Sequence, residues 1–87
     1  MKTPIYDALQ AYADRQPIRF HMPGHKGHAA IPAWNPLYAL DITEISGADS
    51  LLEADGIIAE SEQIATALFF SAGTVYSCAG STGCIQT

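Results

Sequence analysis

Thr74-Val75-Tyr76-Ser77-Cys78-Ala79-Gly80-Ser81-Thr82-Gly83 is the stretch on which the fold turns. Residues 74–78 are β-prone, and Gly80-Ser81-Thr82-Gly83 then forms a glycine-hydroxyl turn. Glycine carries no side chain, so such a turn lets the backbone come close to a ligand. A helix beginning there points its first amides outward without intrahelical partners. Those amides, the helix dipole and two hydroxyls together suit a phosphate group. Taken alone, the tetrapeptide has a commoner reading, in which Ser81 or Thr82 simply caps a helix.

Working back from this turn, Gly73 closes a segment whose periodicity predicts a helix from about Ile57 to Phe70. Ile57, Ser61, Ile64, Ala65, Leu68 and Phe69 share one stripe, and Glu60, Glu62 and Gln63 lie off it. Residues 37–55 are ambiguous; within them Asp41-Ile42-Thr43-Glu44-Ile45 alternates like a short strand ahead of Gly47. Residues 17–36 carry Pro17, Pro23, Pro32 and Pro36 with Gly24 and Gly27, a spacing that predicts an ordered loop or extended arm without regular elements. Phe20, His21, Met22 and Trp34 are unusual cargo for a solvent-facing linker and suit packing against a neighbour. At the start, Thr3-Pro4 followed by Ile5, Tyr6, Leu9, Tyr12 and Ala13 predicts a short amphipathic helix. Thr3 would cap it, Pro4 would take its first position, and Asp7 would complement its dipole. Pro17 disfavours helical geometry at Gln16 and ends it.

Eighty-seven residues allow one small domain, and 48% apolar content argues against disorder. The net charge of −5 is unevenly spread. Lys2, Arg15, Arg19 and Lys26 all fall before residue 41, whereas seven of the nine acids fall after residue 40. Four scattered bases make a poor basic patch, which excludes a nucleic-acid partner. No apolar run is long enough to span a bilayer, the N-terminus lacks a signal-peptide pattern, and Cys78 and Cys84 make no disulfide framework. This composition suits a reducing cytoplasm.

Three histidines in His21-Met22-Pro23-Gly24-His25-Lys26-Gly27-His28 invite a metal reading. Zinc sites draw on His pairs in regular elements or closely spaced Cys pairs, and Pro23, Gly24 and Gly27 prevent a helix from aligning His21 with His25. No metal site is expected; a loop whose imidazoles satisfy nearby backbone carbonyls is the plainer reading. Lys26 is no candidate for a Schiff-base lysine, because a glycine-flanked loop offers neither the burial nor the like charge that would lower its pKa.

Thr3-Pro4-Ile5-Tyr6-Asp7-Ala8-Leu9, followed by Pro17-Ile18-Arg19-Phe20-His21-Met22-Pro23-Gly24-His25-Lys26-Gly27, resembles the opening of the small ornithine/lysine/arginine decarboxylases. Asp41-Ile42-Thr43-Glu44 and Asp55-Gly56-Ile57-Ile58 fall where that family has similar segments, and Gly80-Ser81-Thr82-Gly83 is similar to its cofactor phosphate loop. The likeness spans nearly the whole chain, and His-Met-Pro-Gly-His-Lys is far more specific than a glycine turn. It shifts the preferred role of Ser81, Thr82 and Gly83 from capping to cofactor binding.

The resemblance implies an α/β fold: the N-terminal fragment of an aspartate aminotransferase-like, fold type I major domain, preceded by a helix and an extended arm. Residues 1–36 would be the helix and arm, and residues 37–87 the start of a truncated domain that binds pyridoxal 5'-phosphate. It implies decarboxylation of arginine, lysine or ornithine to agmatine, cadaverine or putrescine plus CO2, a lyase step in polyamine biosynthesis. Homodimers or higher homo-oligomers are implied, with no membrane partner, and His25 and Lys26 would lie near an active site. The family's Schiff-base lysine, its pyridine-pairing aspartate and its ring-stacking histidine would all lie downstream. No catalytic residue is therefore expected in residues 1–87, and the chain alone is expected to be inactive. A non-catalytic module that binds phosphate or cofactor, or an interaction protein docking through Tyr6, Leu9 and Trp34, is the alternative.

Overall fold

The computed structural model describes residues 1–86. In chain order it contains α1 (Pro4–Asp14), a 3-10 turn (Pro32–Trp34), the single-turn α2 (Asn35–Tyr38), α3 (Ile57–Leu68) and α4 (Gly80–Gln86). Among the described residues there is no β-strand. The structure thus shows helices and irregular connections where an α/β pattern was expected.

α1 begins at Pro4, where a missing N–H costs nothing, and carries Asp7 in its first turn. The expected cap differs in one respect. The Thr3 hydroxyl makes no bond to a helix amide and instead donates to the Asp7 carboxylate at 2.9 Å. Gln16, ahead of Pro17, leaves the helical region with φ 50°. Apolar Ile5 and Leu9 face a cleft shared with Leu40, Ile42, Ile57, Ile58 and Tyr76, and α1 packs on α3.

α3 starts where its periodicity places it but ends at Leu68, two residues before the expected Phe70. Phe70 takes φ 53° and closes a left-handed C-terminal cap. Its amide bonds the Ala67 carbonyl at 3.3 Å, and the Ser71 amide reaches back to Thr66 O at 3.1 Å. Glycine usually fills that position; here a phenylalanine does, and Gly73 lies beyond the helix.

Three further expectations are corrected. Residues 32–38 are helical, because Pro32 and Pro36 stand at first-turn positions that do not need an N–H. Asp41–Ile45 is not a strand: the Ile45 amide folds back onto Thr43 O at 2.8 Å, and Ala48 N bonds Ile45 O at 2.9 Å. Residues 74–78 likewise carry no ladder, since a strand is defined by a hydrogen-bonded neighbour and none of the described segments supplies one.

No described residue is buried. The accessible surface is 6548 Å², against roughly 5,000 Å² for a compact monomer of this mass. The radius of gyration, 14.9 Å, exceeds the roughly 12 Å of a compact chain of this length. Phe20, Leu52 and Phe70 are each at least 90% exposed, so large apolar side chains stand ready to be covered.

Candidate cofactor-binding turn and the histidine arm

The Gly80-Ser81-Thr82-Gly83 turn is the first turn of α4. Gly80 has φ 72°, a backbone region that favours glycine. Gly83 is demanded for a different reason. A Cβ added there would stand 2.5 Å from the Ala79 Cβ, a rigid atom that cannot swing aside. Both glycines are therefore required by shape. Between them, Ser81 and Thr82 are exposed. The expected helix start is present, with two hydroxyls at its head.

Upstream, the segment leading into this turn is fastened to α3 by side chains. The Thr66 and Thr74 hydroxyls are paired at 2.8 Å, the Tyr76 and Ser61 hydroxyls at 2.7 Å, and the Tyr76 amide donates to Glu62 at 3.0 Å. From Thr74 to Tyr76 the chain advances two residues while its α3 partners retreat from 66 to 61 and 62. Four to five helical residues rise about 6–7.5 Å, close to the roughly 6.6 Å of two extended residues. The segment is thus extended and runs antiparallel to α3, with Thr74 and Tyr76 facing the helix and Val75 facing out, 84% exposed.

In the arm, polar groups turn inward and apolar ones outward. Ile18, Phe20 and Met22 are exposed, whereas Arg19 and His21 between them are half-buried. Arg19 reaches the carbonyls of Tyr38, Ala39 and Asp41 at 3.4, 2.5 and 3.4 Å, clasping the chain just beyond α2. Its guanidinium stands 5.0 Å from the Tyr12 ring centroid, within cation–π range. The added Cβ of a side chain at Gly27 would meet that guanidinium at 3.0 Å, so the loop needs glycine there, where φ is 83°.

The hydrogen bonds assign both imidazole tautomers. His21 Nδ1 lies 2.6 Å from the Met22 carbonyl, which can only accept, so Nδ1 carries the proton. His21 Nε2 then accepts from the Tyr12 hydroxyl at 2.7 Å. His25 Nδ1 accepts the Gly27 amide at 2.9 Å, which leaves Nε2–H to donate to Asp41 at 2.8 Å. That contact is accordingly a hydrogen bond from a neutral ring. Lys26 donates to the His21 carbonyl at 2.7 Å. His25 and Lys26 thus spend their polar atoms on organising the arm, and among the described residues no three His, Cys, Asp or Glu gather as a metal site. Cys78 and Cys84 are exposed free thiols. Removing the Tyr12 hydroxyl with Tyr12→Phe should cost the arm about 1 kcal/mol. Imidazole 15N shifts check it: His21 is expected to keep its Nδ1–H tautomer, still held by the Met22 carbonyl, while its Nε2 resonance moves as that nitrogen loses its donor, and His25 is unchanged.

Asp49 was missed from the sequence. Its carboxylate accepts the amides of Ser50 and Asp55 through Oδ1, at 2.7 and 3.0 Å. Through Oδ2 it accepts those of Gly56 and Ile58, both at 2.8 Å, at the start of α3. Partial withdrawal from water works to raise its pKa, but the four amides together outweigh this and hold the carboxyl well below the usual carboxylate range. A positive φ of 67° at an aspartate is the local price. The only sequence signal is an aspartate shortly before an uncapped Gly56.

Both the glycine turn and the His-Met-Pro-Gly-His-Lys arm belong to one family. The family described as "Orn/Lys/Arg decarboxylase, major domain" matches residues 3–87, and the chain belongs to it. Among similar proteins, an arginine decarboxylase of Bacillus cereus is 35% identical over 99% of this chain and 20% of its own length. An arginine decarboxylase of Bacillus subtilis (strain 168) is 34% identical over 99% of the chain and 19% of its own length. The Bacillus subtilis uncharacterized protein YaaO is 36% identical over 94% of the chain and 18% of its own length. The chain thus spans about a fifth of the length of the curated relatives it matches. No solved structure matches it.

Proposed function

We propose that this chain is the opening part of the major domain of a pyridoxal-phosphate-dependent decarboxylase acting on a basic amino acid, with arginine the favoured substrate. Its similarity to arginine decarboxylases over nearly all its residues supports that reading. The observation that carries it is the first turn of α4. Gly80 has a left-handed φ, Gly83 abuts Ala79, and two exposed hydroxyls stand at a helix start. That shape fits a phosphate monoester.

In this proposal the Ser81 and Thr82 hydroxyls and the amides through Gly83 hold the cofactor phosphate. Bound there, the cofactor supplies the electron sink that decarboxylation needs. Residues 74–78 form a strand of an α/β sheet whose other strands the rest of the major domain provides, and residues 37–87 begin that domain. Residues 1–36 form the helix and arm, which places His25 and Lys26 beside an active site of a homodimeric or larger cytoplasmic enzyme. Their role there is to set the arm's shape, because their polar atoms are already engaged within it. The basic amino acid is read by residues outside this chain, and residues 1–87 alone do not catalyse.

A chimera tests the proposal. Residues 3–87 replace the matching segment of the Bacillus subtilis arginine decarboxylase, and agmatine formation and pyridoxal phosphate affinity are measured. Both should be retained. Ser81→Ala in the chimera should weaken cofactor binding roughly 10- to 150-fold, as a hydrogen bond to a charged group contributes about 1.5–3 kcal/mol. Equilibrium dialysis reads this without reference to turnover. Unchanged affinity in Ser81→Ala and in Thr82→Ala would remove the turn from the cofactor site.

A further inference from the structure

Glu62 occupies the backbone amide of Tyr76, at 3.0 Å, within a segment that is otherwise shaped to join a sheet. In an extended chain, successive residues direct their N–H and C=O groups to opposite edges. The Tyr76 edge is therefore taken by a carboxylate, and the Val75 and Ser77 edge is not. Ser61 and Thr66 fasten Tyr76 and Thr74 on either side of that contact, which holds Glu62 in register. Natural proteins use a charged side chain in this way to stop a sheet from growing past its last strand.

We infer that Glu62 is an edge guard: it makes residues 74–78 a one-sided strand, able to receive a neighbour along Val75 and Ser77 only. A neutral acceptor of the same length preserves the bond, and a truncated side chain opens the second edge. With one open edge, pairing ends at two strands. With two, it propagates without limit. The exposed Val75 and the lack of any buried core among the described residues make this distinction measurable in the chain itself.

The test follows thioflavin-positive assembly of the 87-residue chain at fixed concentration and salt, together with amide hydrogen exchange. Glu62→Ala should assemble at least about tenfold faster than wild type, and Glu62→Gln should stay within about twofold of it. The Tyr76 amide should exchange more slowly than that of Val75 in wild type and in Glu62→Gln, and lose this protection in Glu62→Ala. Adding Val75→Pro, which deletes a donor on the open edge, should abolish the assembly of Glu62→Ala. The inference rests on reading residues 74–78 as a sheet strand, and the two fail separately. Equal assembly of Glu62→Ala and wild type overturns the guard alone. Assembly of Glu62→Ala that survives Val75→Pro overturns the strand and the guard with it.

Discussion

Asp49→Ala is expected to unravel the first turns of α3. Four amides would lose their acceptor at once, and two of them, Gly56 and Ile58, belong to the helix start. Gly56, at the N-cap, has no side chain to replace the lost acceptor. Far-UV circular dichroism should show the loss of helix, and hydrogen exchange should place it at Ile58 and not at Leu68. Asp49→Asn should lie between wild type and Asp49→Ala, because one carboxamide oxygen still accepts.

The same residue makes a pH prediction of definite sign. Its folded pKa is depressed, so its contribution is complete above the unfolded value of about 3.9 and is lost as pH falls below it. Between neutral pH and about pH 4 the α3 signal should be flat, and it should then decline on acidification. Asp49→Asn should abolish the part of that decline that belongs to this carboxyl. An Asp49→Asn profile with an undiminished acid decline would show that other carboxylates govern it.

Gly83→Ala is the second large effect, and here the cause is steric. The new methyl would sit 2.5 Å from the Ala79 Cβ, and neither atom has a rotamer to escape into. Relief requires the backbone of residues 79–83 to open, at about 1–3 kcal/mol by the usual scale of overpacking. In the chimera this should lower pyridoxal phosphate affinity about 5- to 150-fold, although the substitution removes no hydroxyl. Ala79→Gly, which deletes the opposing methyl, should restore most of the loss. Failure of that rescue would mean that Gly83 matters for a reason other than its contact with Ala79.

What could be read from the sequence follows from how local each feature is. α1 was legible from its apolar spacing and Pro4, and α3 from its stripe beginning at Ile57, because both patterns lie within one element. The glycine turn was legible because Gly80 and Gly83 constrain their own neighbourhood. The end of α3 was not, since Phe70 accepts a left-handed conformation that residue preference assigns to glycine. The helical turns at 32–38 were hidden because prolines that break a helix interior also begin helices. Strand pairing at 74–78 depends on partners distant in sequence, so β-propensity alone could not decide it. The polar members of the site were least legible. Asp49 caps a helix from outside the positions where cap rules look, and Arg19 finds its carbonyl partners 19 to 22 residues away.

That last separation bears on how the molecule comes into being. The Arg19 guanidinium emerges from the ribosome well before Tyr38, Ala39 and Asp41, the residues whose carbonyls it clasps. At about 5–20 residues per second, the emerged arm waits roughly one to four seconds before its last acceptor also leaves the ribosome. Through that interval the arm is fastened only to Tyr12 of α1, by His21 and Arg19, so its path is settled late, while Ile18, Phe20 and Met22 stay open to a chaperone or a hydrophobic neighbour before and after the clasp closes.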